Sequence, residues 1–141
     1  GLRLVFGVYL VTDKEMSVSA MLERANLALK KTLQLPQQLK KIGVYDEKEH
    51  RKLEREKHLE MRMEKALKNG EFIPYLQPKY ELTHETIAGA EALVRWVSPE
   101  EGMIFPGEFI PLFEKNGFIV ELDLYMFEQV CKMIESWNEN G

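Results

Sequence analysis

The run from Ile87 to Val97 reads as a β-strand, and its period-two alternation constrains this chain more than any other segment. Ile87, Gly89, Glu91, Leu93, Arg95 and Val97 fall on one face, and Ala88, Ala90, Ala92, Val94 and Trp96 on the other. A second strand-like stretch, Phe72 to Tyr80, precedes it across a short polar segment at Thr83-His84-Glu85. So short a connection permits only an antiparallel hairpin if the two strands pair, because a parallel crossover needs a dozen residues or more. With His84 at the loop centre, Gln77 lies across from Glu91 and joins the face of Leu93 and Arg95; a one-residue slip would send it to the opposite face. Pro74 and Pro78 suggest an edge or end position for the first of the two strands.

That shared face carries chemistry. A carboxylate can hold a divalent cation, and a guanidinium can fork onto a phosphate or a guanine edge. Glu91 and Arg95, four residues apart on one strand, suit a phosphorylated ligand. The plainer reading is an amphipathic strand with a solvated charged face, which periodicity alone favours.

The chain divides into three segments: residues 1–46, 47–69 and 70–141. The first reads strand, helix, strand. Its strands are Leu2 to Val11 and Lys41 to Tyr45. Its helix carries Val18, Met21, Leu22, Ala25, Ala28, Leu29 and Leu33 at helical spacing, with Ser17 as N-cap and Pro36 as terminator. The pattern leaves the sense of strand pairing open, with a right-handed β-α-β crossover as the default. The second segment is a charged linker helix with favourable pairs at Glu47/Arg51 and Glu64/Lys68 and an apolar stripe only in its later half, through Leu59, Met63, Ala66 and Leu67. His50, Glu54 and His58 share a face there at a spacing that can chelate a metal, but exposed helices rich in Glu, Lys and His produce such trios by chance. Asn69-Gly70 closes the helix.

Beyond the hairpin, Ser98 to Gly102 reads as a turn. A helix begins at Phe105-Pro106 and ends at Asn116-Gly117. The last helix carries Leu122, Tyr125, Met126, Val130, Met133, Ile134 and Trp137, widened by Phe127 and Cys131, which predicts a buried amphipathic helix with Cys131 as a core thiol.

Composition excludes several classes. A formal net charge of −4 in 141 residues provides no basic stripe for a nucleic-acid polymer. No stretch approaches the roughly 20 apolar residues of a membrane span, and no signal peptide is visible. The single cysteine permits no intramolecular disulfide, which suits a reducing cytoplasm. The start at Gly1, without methionine, and the stop at Asn138-Glu139-Asn140-Gly141 suggest a piece of a longer polypeptide.

Four motifs then occur in order: Tyr75-Leu76-Gln77-Pro78-Lys79, Gly89 to Trp96, Phe105-Pro106-Gly107-Glu108-Phe109-Ile110-Pro111, and Glu114-Lys115-Asn116-Gly117. Together they resemble the opening of an EAL domain, the cyclic di-GMP phosphodiesterase module, over the front third of that domain. The first segment resembles the tail of a GGDEF domain through Phe6-Gly7-Val8, Leu22 to Lys31, and Ile42-Gly43-Val44-Tyr45-Asp46. It departs from that family at Asn26, Lys30 and Thr32-Leu33, and it lacks the namesake loop.

The resemblance implies an α/β chain: a partial ferredoxin-like GGDEF tail, a linker helix, and an incomplete (β/α)8 EAL barrel whose first hairpin is antiparallel. It implies Glu91 as a ligand for catalytic Mg2+ or Mn2+, Arg95 as a phosphate contact, and Gln77, Leu93 and Pro106 as nucleotide contacts. The implied reaction is metal-assisted hydrolysis of cyclic di-GMP to linear pGpG. One carboxylate cannot build a two-metal site, and Glu108, Glu121 and Asp123 belong to helix surfaces or turns, so the chain alone should be inactive. The alternative is a non-catalytic cyclic di-GMP receptor or interaction module. An unfinished barrel leaves edges and apolar surface open, which predicts a homo-oligomer.

Overall fold

A computed structural model describes residues 4–36, 41–83 and 86–140. The chain forms two compact units divided between Glu54 and Arg55.

In the first unit, β1 (Phe6–Val8), α1 (Val18–Gln34) and β2 (Ile42–Val44) form a β-α-β unit with parallel strands, Gly7 opposite Gly43. The pairing sense left open by the pattern is therefore parallel, with shorter strands than the apolar runs suggest. Ser17 Oγ accepts from Ala20 N at 3.3 Å and starts α1, and Leu35, just before Pro36, ends it. Both glycines are required by close approach. A Cβ on Gly7 would overlap the Ala25 carbonyl, and one on Gly43 would overlap the Thr32 hydroxyl. The helix meets the strands through Ala25, Ala28, Leu29 and Thr32, whereas Val18, Leu22 and Leu33 of the expected stripe face solvent. Two short strands cover only one side of a helix.

The helix α2 (Glu47–Lys68) begins in this unit. Asp46 Oδ1 accepts from Lys48 N and Glu49 N, an N-cap not evident from periodicity. Its first half is not a bare linker: Glu47 bonds Arg51 and Tyr45, and Glu49 pairs with Lys31 of α1.

In the second unit, the rest of α2 packs with β3 (Phe72–Glu81), β4 (Thr86–Ser98), β5 (Gly102–Ile104), α3 (Pro106–Asn116) and α4 (Ile119–Asn140). A Schellman motif closes α2. Gly70 has φ 72°, Glu71 N donates to Ala66 O at 3.0 Å and Gly70 N to Leu67 O at 3.2 Å. The strands form an antiparallel sheet in the order β3-β4-β5, with β3 at the edge, where its prolines are tolerated. β5 is not expected from the sequence, where Gly102 ends a turn and Met103-Ile104 carry no assignment; three residues are too few for a periodic signal.

Phe72, Trp96 and Ile104 are cross-strand neighbours on one face, and all three are buried. They meet Leu59 and Ala66 of α2, Phe109, Leu112 and Phe113 of α3, then Phe118 and Leu122. Ring centroids lie 4.9 Å apart for Phe72/Trp96 and for Phe113/Phe118. Each such side chain buries 150–250 Å² as a rule, so this aromatic cluster dominates the unit's stability.

A polar network lies beside the cluster. Glu101, in the turn before Gly102, accepts from Arg55, Arg62 and His58. Arg62 Nη2 also donates to the buried Ser98 Oγ at 2.7 Å, and Arg55 Nε to Glu108 Oε2 at 3.0 Å. His58 is thus committed to Glu101, while His50 rests against the Tyr45 ring at 5.6 Å. Among the described residues no group of three or more His, Cys, Asp or Glu could hold a metal ion.

The last helix differs most from expectation. Leu122 is buried, but Phe127 is 72% exposed, Trp137 53%, and Cys131 faces solvent. Cys131 is therefore not a core thiol here: among the described residues, the core reaches only the first two turns of α4.

Candidate functional site

The hairpin register pairs Ile73 with Arg95, Tyr75 with Leu93 and Gln77 with Glu91. Directly paired residues share a face, so Gln77, Glu91, Leu93 and Arg95 do stand together, opposite the face of Phe72 and Trp96. The symmetry about His84 ends at Lys79. Past an irregularity there, Tyr80 pairs with Ile87, so Ala88 is an extra residue in β4. Ile87 is carried to the face of Tyr80 and leaves that of Glu91, against the uninterrupted alternation expected. His84 itself lies outside the described residues.

Glu91 is exposed, and its Oε2 lies 3.2 Å from Lys79 Nζ. Arg95 is half-buried. Its Nη1 donates to the Val94 carbonyl at 2.9 Å, and its guanidinium carbon lies 5.8 Å from the centroid of the Tyr75 ring. The face therefore presents an amide, a carboxylate, an aliphatic side chain and a stacked guanidinium.

Pro106 is not part of the β3–β4 hairpin that sets these four. It is N1 of α3, following β5, which pairs with the Trp96–Ser98 end of β4. Glu91 lies five residues along β4 from Trp96, about 17 Å at the usual strand rise. Glu108, discounted above as a ligand, is held by Arg55 and caps the backbone of Phe105.

Tyr75 and Lys79 also belong to the face, beyond the residues that the resemblance assigns to the site. The signal was present: the period-two rule that groups Glu91, Leu93 and Arg95 also groups Tyr75, Gln77 and Lys79.

The donor set does not fit a closed metal centre. Glu91 is one carboxylate and Gln77 one amide, whereas Mg2+ seeks six oxygen ligands in octahedral array.

Residues 60–141 match the EAL domain family. The chain belongs to that family. The match begins within α2, earlier than the four motifs suggest, consistent with burial of Ala66 in the same core as Trp96. An uncharacterized protein of Mycobacterium tuberculosis is 40% identical over 84 residues, covering 60% of this chain and 27% of the relative. The bifunctional diguanylate cyclase/cyclic di-GMP phosphodiesterase MucR of Pseudomonas aeruginosa is 34% identical over 79 residues, covering 56% of this chain and 12% of MucR. A solved structure of the PaMucR phosphodiesterase in complex with c-di-GMP superposes with a TM-score of 0.55 at 33% identity, over 60% of this chain and 34% of that one. The chain thus spans about a quarter or less of the length of these curated relatives.

Proposed function

We propose that this chain is part of a cyclic di-GMP phosphodiesterase and forms one wall of its substrate site. The observation that carries this reading is the register of the β3–β4 hairpin, which sets Gln77 opposite Glu91 beside Leu93 and Arg95. Glu91 is the carboxylate that stands with Gln77, Leu93 and Arg95 and is offered to a divalent metal, Mg2+ or Mn2+; such an ion would supply Lewis-acid activation of the phosphodiester. Arg95 binds a phosphate through its guanidinium edge. Gln77 and Leu93 contact the nucleotide, one by hydrogen bond and one by apolar contact. Pro106 enters as a further nucleotide contact only through what other parts of the intact domain bring to it.

On this reading the second unit is the opening of an incomplete (β/α)8 barrel with an antiparallel first hairpin, and such barrels need about 250 residues. The chain alone is inactive. Residues 1–46 are the tail of a GGDEF domain, supported by the parallel β-α-β unit, and 47–69 join it to the EAL part. The substrate, a nucleotide second messenger, sets the compartment as the cytoplasm; among the described residues no helix is long and apolar enough to cross a membrane.

The deciding experiment is hydrolysis of cyclic di-GMP to pGpG by the intact protein that contains this chain, with and without Mg2+. Metal-dependent turnover that Glu91→Gln abolishes is the expected result. Tight binding of cyclic di-GMP without turnover would replace the enzyme by a receptor.

A further inference from the structure

We propose that Tyr75 is a positioning residue for Arg95, holding the guanidinium in the orientation that receives a ligand phosphate; the inference rests on the phosphodiesterase reading above. Tyr75 opposes Leu93 and Arg95 opposes Ile73, so Tyr75 is the diagonal neighbour of Arg95 on the shared face. Aromatic and long side chains span that diagonal. The guanidinium carbon lies 5.8 Å from the Tyr75 ring centroid, within range of a cation–π contact.

A second contact fixes the same group. Arg95 Nη1 donates to the Val94 carbonyl at 2.9 Å, using one of the guanidinium's five N–H donors. A ring face and a carbonyl together define the plane of the group, and bidentate phosphate recognition depends on that plane. Without the ring, Arg95 keeps its charge and its stem but loses the support that sets the fork's direction. Tyr75 also lies between Arg95 and the Gln77/Glu91 pair, so a guanidinium resting on it is directed along the face where the amide and carboxylate stand.

Two measurements test this. In the present chain, the Tyr75 ring current should shift the Arg95 Nε–H proton upfield in a side-chain proton–nitrogen correlation spectrum, assigned by loss of the signal in Arg95→Lys. Tyr75→Leu should return it to the ordinary position and Tyr75→Phe should retain it. In the intact protein, Tyr75→Leu should raise KM for cyclic di-GMP by about fourfold with little change in kcat, the scale of an exposed cation–π contact, and Tyr75→Phe should behave as the unaltered protein.

An unshifted Arg95 proton overturns the proposal. So does an active intact protein whose KM ignores Tyr75→Leu, or a Phe variant as impaired as the Leu variant. An intact protein that does not hydrolyse cyclic di-GMP overturns the phosphodiesterase reading, while the proton shift still decides whether Tyr75 holds Arg95.

Discussion

The indole nitrogen of Trp96 donates to Glu71 Oε2 at 2.9 Å, and the backbone binds the same pair of segments, Val97 N donating to Glu71 O at 2.8 Å. Trp96 is fully buried, so its only polar side-chain atom must find a partner inside the protein. Glu71, the residue between the glycine that ends α2 and the start of β3, supplies it.

Replacing Glu71 by Leu leaves that N–H without an acceptor and should cost about 1–3 kcal/mol of stability, with Glu71→Gln costing less. In Trp96→Phe there is no N–H to strand, so the effect of Glu71→Leu should shrink. Urea unfolding of the four variants measures the difference, and an equal cost on both backgrounds would contradict the assignment.

Stability should fall in acid through Glu101. Hydrogen bonds from Arg55 and then His58 hold its carboxyl below its ordinary value of 4.5. A depressed folded-state pKa means that the stabilisation is complete above the unfolded value and is lost as pH falls through the folded one. The unfolding midpoint should therefore drop below about pH 4.5, and Glu101→Gln should flatten that part of the profile. A profile unchanged by the substitution would show that other carboxylates govern acid unfolding.

Gly43→Ala should destabilise the first unit by about 1–3 kcal/mol, the usual cost of overpacking, because the added methyl meets the Thr32 hydroxyl and the Ala28 carbonyl. Gly43→Ala combined with Thr32→Ser, which only trims the methyl, should recover little, since the hydroxyl and carbonyl remain. Amide exchange localised to residues 4–36 and 41–54 reads this without involving the second unit.

Lys79→Met should change stability by less than about 1 kcal/mol, since its pair with Glu91 is solvent-exposed. A larger loss in thermal unfolding would mean that the pair contributes to the hairpin register and not only to the charge of the face.

Self-association should follow from the open apolar surface of α4, where Leu124, Phe127, Ile134 and Trp137 are exposed. We expect the weight-average mass in sedimentation equilibrium to rise with concentration, and Phe127→Lys to reduce the rise. A strictly monomeric species at high concentration would contradict this.

Local signals carried much of what could be read in advance. Ser17 as N-cap, Gly70 and Gly117 as helix ends, and the β-α-β order of the first unit are properties of a few neighbouring residues, and they match the structure. The pairing of Gln77 with Glu91 was also legible, because a short loop and a period of two leave little freedom in register. The β4 irregularity near Lys79 was not, since its local signal is the single strand glycine Gly89 beside the extra Ala88, and such a glycine marks a bulge only in some strands. Nor was the Glu101 network, whose partners Arg55, His58 and Arg62 lie about forty residues upstream in another element.

The sequence by itself determined which residues could share a strand or helix face, because that depends only on backbone period. Tertiary structure alone decided which faces were covered. The apolar stripes of α1 and α4 are similar as patterns, yet Ala28 and Leu122 are buried while Leu22 and Phe127 face solvent. Burial depends on what stands opposite, and a helical stripe does not encode its own partner. The same reason separates Arg95 as a charged residue on a strand from Arg95 as a guanidinium resting on Tyr75: the first follows from alternation, the second from the strand across the hairpin.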